Sequence, residues 1–241
     1  MKALYLIINL LTISFPLIRS FEPRIRYAKQ WPALFPAIAI TALFFISWDI
    51  LFTRHQVWGF NDTYLLGPHL LSLPLEEWLF FFTVPFASVF IYECVRYFFP
   101  NLQNSRITRP TTIALALLIL AIGALNYERA YTFWNFVFCG SFLLSTGIKS
   151  PNWLAHFWTA YAIHLIPFLI VNGVLTGTFI DESIVWYDNE ENLSIRIASI
   201  PVEDTAYALL LLLMNVTFLE KFRAHKSNHG PKHEHIELNK S

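Results

Sequence analysis

The feature that most constrains this chain is a series of long stretches containing no charged side chain. Seven can be read between charged residues: Ala3–Ile18, Gln30–Trp48, Trp78–Tyr92, Pro110–Tyr127, Ala130–Ile148, Ser150–Ile180 and Thr205–Leu219. A helix needs about 20 mostly apolar residues to cross a bilayer, and shorter ones serve inside a tight bundle. The third and seventh runs are short, but a Pro-x-Glu-acid sequence can extend each at its N-terminal end. Pro110 and Pro151 suit first-turn positions, where a missing N–H costs nothing. The expected fold is therefore all-α: a polytopic membrane bundle of seven transmembrane helices, with modest loops and no separate soluble domain. Only 14% of the 241 residues are charged, against roughly 25% in soluble domains. This composition excludes a disordered chain, and two cysteines exclude a disulfide scaffold. Zero net charge excludes a nucleic-acid binder acting through basic surface. The first run has a poor cleavage site at Pro16–Ser20, so it is read as a span and not as a secretory signal.

Basic residues give an orientation. With seven spans, 13 of the 17 Lys and Arg fall on the side of the C-terminal tail and 4 on the other. The positive-inside rule then puts the N-terminus outside and the C-terminus in the cytoplasm. Acids segregate oppositely, 12 of 17 lying on the outer side.

Pro74-Leu75-Glu76-Glu77 recurs 127 residues later as Pro201-Val202-Glu203-Asp204. At the same offset Val89 matches Val216, Glu93 matches Glu220 and Arg96 matches Arg223; Trp58 and Trp186 match at 128. The chain divides accordingly. Residues 1–100 form a first repeat with spans 1–3, and 101–127 a linking segment with span 4. Residues 128–225 form a second repeat with spans 5–7, and 226–241 a disordered His-rich tail. Spans 3 and 7 run in the same direction, which places both acidic pairs at one membrane depth. Proline followed by acids is an ordinary helix start. Two copies bordering hydrophobic spans point further, because acids entering a membrane bundle are costly and mark sites. Asp49 joins the same outer layer if span 2 continues to Thr53, with Asn172-Gly173 at the corresponding place in span 6. A partnership with Arg54 at the interface is the alternative for Asp49.

Three segments of the first half, Phe45-Ile46-Ser47-Trp48-Asp49-Ile50, Val57-Trp58-Gly59-Phe60-Asn61 and Pro74-Leu75-Glu76-Glu77-Trp78-Leu79-Phe80-Phe81, resemble the membrane-integral lycopene cyclase domain. So do Asn172-Gly173-Val174-Leu175-Thr176-Gly177, Val185-Trp186-Tyr187 and Pro201-Val202-Glu203-Asp204-Thr205. The resemblance covers residues 1–225 and is to the fused, single-chain form of a family that also occurs as two small subunits. It implies a carotenoid-biosynthetic enzyme of the intramolecular lyase or isomerase type. Lycopene and other acyclic carotenoid hydrocarbons would be its substrates, closed at their ψ ends to the β-rings of γ- and β-carotene. The implied setting is a bacterial inner membrane.

Protonating an alkene needs a strong acid kept dry, and clustered carboxylates can share a proton. Aromatic faces can stabilise the resulting cation. Glu76, Glu77, Glu203, Asp204 and Asp49 are the candidate catalytic acids and bases, with Glu77 and Asp204 first. Adjacent acids point about 100° apart on a helix, so one of each pair faces the site. Trp48, Trp58, Tyr64, Asn172 and Trp186 are candidates for substrate binding; belting at the membrane interface is the competing use of the aromatics. No Gly-x-Gly-x-x-Gly stretch opens a βαβ unit, so no flavin or nicotinamide cofactor is expected. No metal is expected either: Cys94 and Cys139 lack ligand spacing, and His225, His229, His233 and His235 read as a solvated tail. Three rivals remain to be weighed. A proton-coupled transporter shares the repeat-interface acids. A retinal photoreceptor would need a lysine within a span, and none is there. A prenyltransferase would need two aspartate-rich motifs, which Asp181, Glu182 and Asp188 do not supply. Oligomeric state is not readable from the sequence.

Overall fold

A computed structural model describes residues 2–229. The tail histidines His233 and His235 lie outside the described residues. Seven α-helices are found among the described residues: α1 (Leu4–Arg19), α2 (Trp31–Arg54), α3 (Leu75–Phe98), α4 (Thr108–Leu125), α5 (Ala130–Lys149), α6 (Leu154–Leu175) and α7 (Glu203–His229). Each charge-free run lies within or around one of them. The last helix runs on through 226–229, where the tail was expected to begin. Pro110 sits in the first turn of α4, whereas Pro151 precedes α6 and its carbonyl accepts from the Leu154 amide (3.0 Å).

Five helices are long and apolar enough to cross a membrane: α2 with its preceding turn, α3, α4, α6 and α7. The shortfall in the other two has a physical reason. The 16 residues of α1 span about 24 Å at 1.5 Å per residue, less than the roughly 30 Å hydrocarbon core. In α5, buried Thr132, Asn135 and Thr146 dilute the apolar run.

The two central helices, α3 and α7, are the most enclosed. Around them α1 packs on α3, α5 on α7, α2 on both, and α6 on both; α4 stands outside against α5. A lipid solvent offers no hydrophobic drive between helices, so close contact depends on small residues. At Gly140 in α5, a Cβ would lie 2.6 Å from Leu120 Cγ and 3.0 Å from the Ala116 carbonyl oxygen. Gly140→Val is therefore expected to push α4 off α5. Thermal unfolding in detergent should move to lower temperature by an amount typical of core overpacking, about 1–3 kcal/mol; an unchanged transition would refute the contact.

Among the described residues, six short strands lie at one end of the bundle. They are β1 (Trp58–Phe60), β2 (His69–Leu70), β3 (Leu73–Pro74), β4 (Val185–Tyr187), β5 (Arg196–Ile197) and β6 (Ile200–Pro201). β2–β3 and β5–β6 are hairpins that lead directly into α3 and α7, with partners His69–Pro74 and Arg196–Pro201. Each residue of the second pair lies 127 positions after its counterpart. β1 and β4 come from different loops and pair antiparallel, with Gly59 opposite Trp186. The ladder continues as Asn61 N to Ile184 O (2.8 Å) and Asp188 N to Val57 O (2.9 Å).

At the opposite end, α3 and α7 are tied by charge. Arg223 Nη2 meets Glu93 Oε1 at 2.7 Å, Arg96 Nη1 meets Glu220 Oε1 at 2.9 Å, and Arg223 Nη1 also reaches Glu220 at 2.8 Å. Tyr92 donates to the same Glu220 oxygen (2.9 Å). These are the residues that match at the 127-residue offset, now seen as a cross-brace.

Candidate active site

The first turns of α3 and α7 hold the duplicated acids, and their two members part ways as helical geometry requires. Glu76 and Glu203 turn back to the loops before them. Glu76 Oε1 accepts from the Leu66 amide and Glu203 Oε1 from the Leu193 amide, both at 2.7 Å and both ten residues upstream. They cap the preceding loops and do not line the cavity described below. Asn9 and Asn135 brace the same turns, donating to the Glu76 and Glu203 carbonyls at 3.1 and 2.7 Å.

Glu77 and Asp204 face inward, together with Asp49 near the end of α2. The three line one small cavity of about 70 Å³, whose wall includes Trp58, Asn172, Tyr187 and Tyr207. All three carboxylates are buried, none more than 7% exposed. Their partners differ. Asp204 accepts three hydrogen bonds: Tyr131 Oη to Oδ1 (2.5 Å), and Asn172 Nδ2 (2.7 Å) and Tyr187 Oη (3.0 Å) to Oδ2. Glu77 Oε2 accepts one, from Tyr5 Oη at 2.5 Å. Asp49 Oδ1 accepts from Trp58 Nε1 at 2.5 Å and, more weakly, from Thr53 Oγ1 at 3.4 Å. Arg54 instead reaches Ser72, so the interfacial partnership with Asp49 is not formed. The second oxygen, Asp49 Oδ2, is buried and receives no hydrogen bond, and Asp49 shares the cavity wall with Glu77. Tyr187, in the loop above, has its phenol pushed well above the ordinary range, first by burial and then by the Asp204 carboxylate. It therefore remains a donor.

Among the aromatic candidates, Trp58 lines the cavity and Trp186 does not. The ladder explains this. Trp58 pairs with Tyr187 and Phe60 with Val185, and all four side chains line the cavity. Gly59 and Trp186 occupy the alternate position of the pleat, and the Trp186 indole covers Gly59, where a Cβ would lie 2.4 Å from Cζ2. A shift of one residue reverses a strand's faces. The sequence match of Trp58 with Trp186 at 128 is one residue out of step with the pairing, so the two tryptophans face opposite ways. Trp48 packs behind Trp58, their ring centroids 6.3 Å apart, and touches Tyr207 at 5.2 Å. Tyr64 packs in a separate apolar cluster around Tyr5 and Ile184. Neither lines the cavity. Asn172 does, and it orients Asp204.

Tyr5, Tyr131, Tyr187 and Tyr207 escaped the sequence reading. A signal for the first two was present: Tyr5 and Asn9 in α1 recur with the same spacing as Tyr131 and Asn135 in α5, 126 residues on.

Together these features define a buried carboxylate site, walled by aromatic rings, at one end of an apolar helix bundle. The family model described as lycopene cyclase matches residues 2–95 and 128–222. The chain belongs to the lycopene cyclase family, and so to a family of enzymes. Among curated proteins it is similar to the bifunctional lycopene cyclase/phytoene synthase of Aspergillus oryzae, 24% identical over 133 residues, which is 52% of this chain and 23% of that protein. The proteins of the same description from Phaeosphaeria nodorum and Neurospora crassa are 38% and 33% identical over 55 residues, 23% of this chain and 9% of each of theirs. The chain thus spans less than a quarter of the length of these relatives. No solved structure matches it.

Proposed function

We propose that this protein is a lycopene β-cyclase that closes the ψ ends of an acyclic carotenoid by proton transfer alone. The observation that carries the reading is the inequality of three buried carboxylates in one cavity: Asp204 accepts three hydrogen bonds, Glu77 one, and Asp49 keeps a buried oxygen with no donor.

In this mechanism the Asp49–Glu77 pair holds the acidic proton between its two carboxyl groups. Glu77 delivers it to C2 of the terminal C1=C2 alkene, and positive charge develops at C1. The C5=C6 π electrons attack C1, forming the C1–C6 bond and moving the charge to C5. Asp204, whose carboxyl is oriented by three donors, removes the C6 proton, and the C5=C6 bond of the β-ring forms. Atoms and electrons balance, since one proton is gained and one lost. The proton returns from Asp204 to the pair between turnovers. Trp58 and Tyr207 present π faces to the cation, an interaction worth about 2 kcal/mol or more when desolvated. Burial of the site keeps water from trapping the cation as an alcohol.

The same reading treats the chain as a duplicated three-helix unit, residues 1–100 and 128–225, joined by α4. Matched hairpins, matched capping glutamates and matched tyrosine donors support it. All seven helices then cross the membrane, α1 and α5 as shorter spans shielded by α3 and α7. The carboxylate end faces outward and the C-terminus the cytoplasm, in line with the distribution of basic residues. A reporter fused to the C-terminus tests this orientation.

The function is tested by expressing the chain in a bacterium that accumulates lycopene and separating the pigments. Mono- and bicyclic β-carotenoids are expected. Unchanged lycopene, with the protein present in the membrane, would overturn the proposal.

A further inference from the structure

A second cavity of about 520 Å³ runs along α3 between α1 and α6. It shares Phe80, Phe168 and Asn172 with the carboxylate cavity, so the two spaces adjoin along these three side chains. From Phe80 it extends past Val84, Ala87 and Ile91 to Phe98. The eighteen helical rises from Phe80 to Phe98 amount to about 27 Å at 1.5 Å each. That is most of the thickness of a bilayer's hydrocarbon core, roughly 30 Å. The walls are almost wholly apolar, and of the few polar groups Ser88 spends its hydroxyl on its own helix, donating to the Val84 carbonyl at 2.7 Å. Beside the groove, Leu11, Phe15, Ile163 and Ile170 are exposed on α1 and α6. In a membrane these side chains meet lipid, so the groove opens sideways into the bilayer.

At the corresponding place in the other half, between α5, α7 and α2, aromatic rings pack against one another. Phe138 of α5 packs against Phe44 and Trp48 of α2, with centroids 5.2 and 5.3 Å apart. Tyr207 of α7 closes on Phe45 and Trp48 at 4.8 and 5.2 Å. At the offsets of the duplication, Phe138 stands where the open side has Thr12, and Met214 where it has Ala87.

The geometry points to a single substrate path. The α1–α3–α6 groove admits a long linear polyene sideways from the bilayer and holds its unreacted length while one terminus sits among the carboxylates. Ala87 and Thr12 keep this path open and are specificity-determining residues. The inference rests on the cyclase reading and adds an asymmetry which that reading does not require. A chain without hydrogen-bonding groups fits walls that offer almost none, and the shared residues lead its end directly to the site. Phe138 and Trp48 pack across the matching face, so the polyene has its path on the α1–α3–α6 side. A long-chain hydrocarbon therefore reacts at one end per binding event and must leave and turn round for the other.

The test is a volume series at Ala87, to Val, Leu and Phe, together with the double variant Thr12→Phe/Ala87→Met, which copies the filled side. Each is assayed on lycopene in membranes of known protein content beside the unmodified chain. Ring formation is expected to fall stepwise with side-chain volume, by tenfold or more at Phe and in the double variant, while thermal unfolding in detergent stays within a few degrees. If Phe unfolds the protein, Val and Leu carry the comparison. Undiminished activity across the folded variants would overturn the groove and leave it as a lipid acyl-chain site. Loss of the cyclase reading would look different, because the unmodified chain would itself be inactive. Reaction at one end per binding event is tested separately, with a pulse of labelled lycopene chased with an unlabelled monocyclic carotenoid. Dilution of label in the bicyclic product supports it, and undiluted label refutes it.

Discussion

Replacing Glu77 by glutamine is expected to reduce ring formation at least 100-fold while leaving the protein folded in the membrane. A general acid contributes about 10²- to 10⁴-fold to a proton-transfer step, and Glu77 faces the cavity beside a second buried carboxyl, Asp49. The substitution keeps the packing intact, since an amide oxygen can still accept from Tyr5 Oη, which lies 2.5 Å from Glu77 Oε2. What disappears is the transferable proton. The neighbouring change Glu76→Gln should retain most activity, because its oxygen need only accept from the Leu66 amide, as Glu76 does at 2.7 Å. Pigment analysis of cells carrying each variant, with protein amounts measured in parallel, separates the two. Full activity in the Glu77 variant would remove Glu77 from the mechanism; equal loss in both would show that the turn and not the proton matters.

The largest effect on stability is expected far from the site, at Arg223. Glu93 is only 7% exposed, and Arg223 approaches it at 2.7 Å while also bracing Glu220. Arg223→Gln leaves Glu93 buried without its principal counter-charge. Breaking a buried pair in this way costs about 3–5 kcal/mol. The unfolding transition in detergent should drop further than for any single carboxylate variant at the other end. The double variant Glu93→Gln/Arg223→Gln should recover part of the loss, since it removes both charges. A double variant as unstable as the two single losses added together would show that the two residues act independently.

Much of the fold could be read in the sequence because helix ends carry local signals. Charge-free runs locate the helices, and proline-acid pairs locate the starts of α3 and α7. Asp49 falls inside α2, as its place at the end of an apolar run implied, since α2 continues to Arg54. Which side chains face inward was far less legible. A helix that is apolar all round, surrounded by lipid or by other helices, has no periodic face to read, so nothing in Phe80 or Phe168 distinguishes cavity wall from lipid contact. The ladder was hidden for another reason. Trp58 and Tyr187 lie on strands of only three residues, too short for alternation to show, and their facing depends on a pairing between loops more than 120 residues apart. The tyrosine donors were overlooked because a tyrosine near the end of an apolar span also suits an interfacial belt.

The ladder of β1 and β4 has a consequence for how the molecule could be divided. It forms the roof of the cavity, and each half of the chain supplies one strand of it. Trp58, from the first half, donates to Asp49 of that half, and Tyr187, from the second, donates to Asp204 of its own. A polypeptide ending in the loop before α4 would carry its acid but only one strand of cover. The same holds for a polypeptide beginning after α4. Cutting the chain there leaves two pieces whose carboxylates are open to water until they meet, so their association and the drying of the site would be one event.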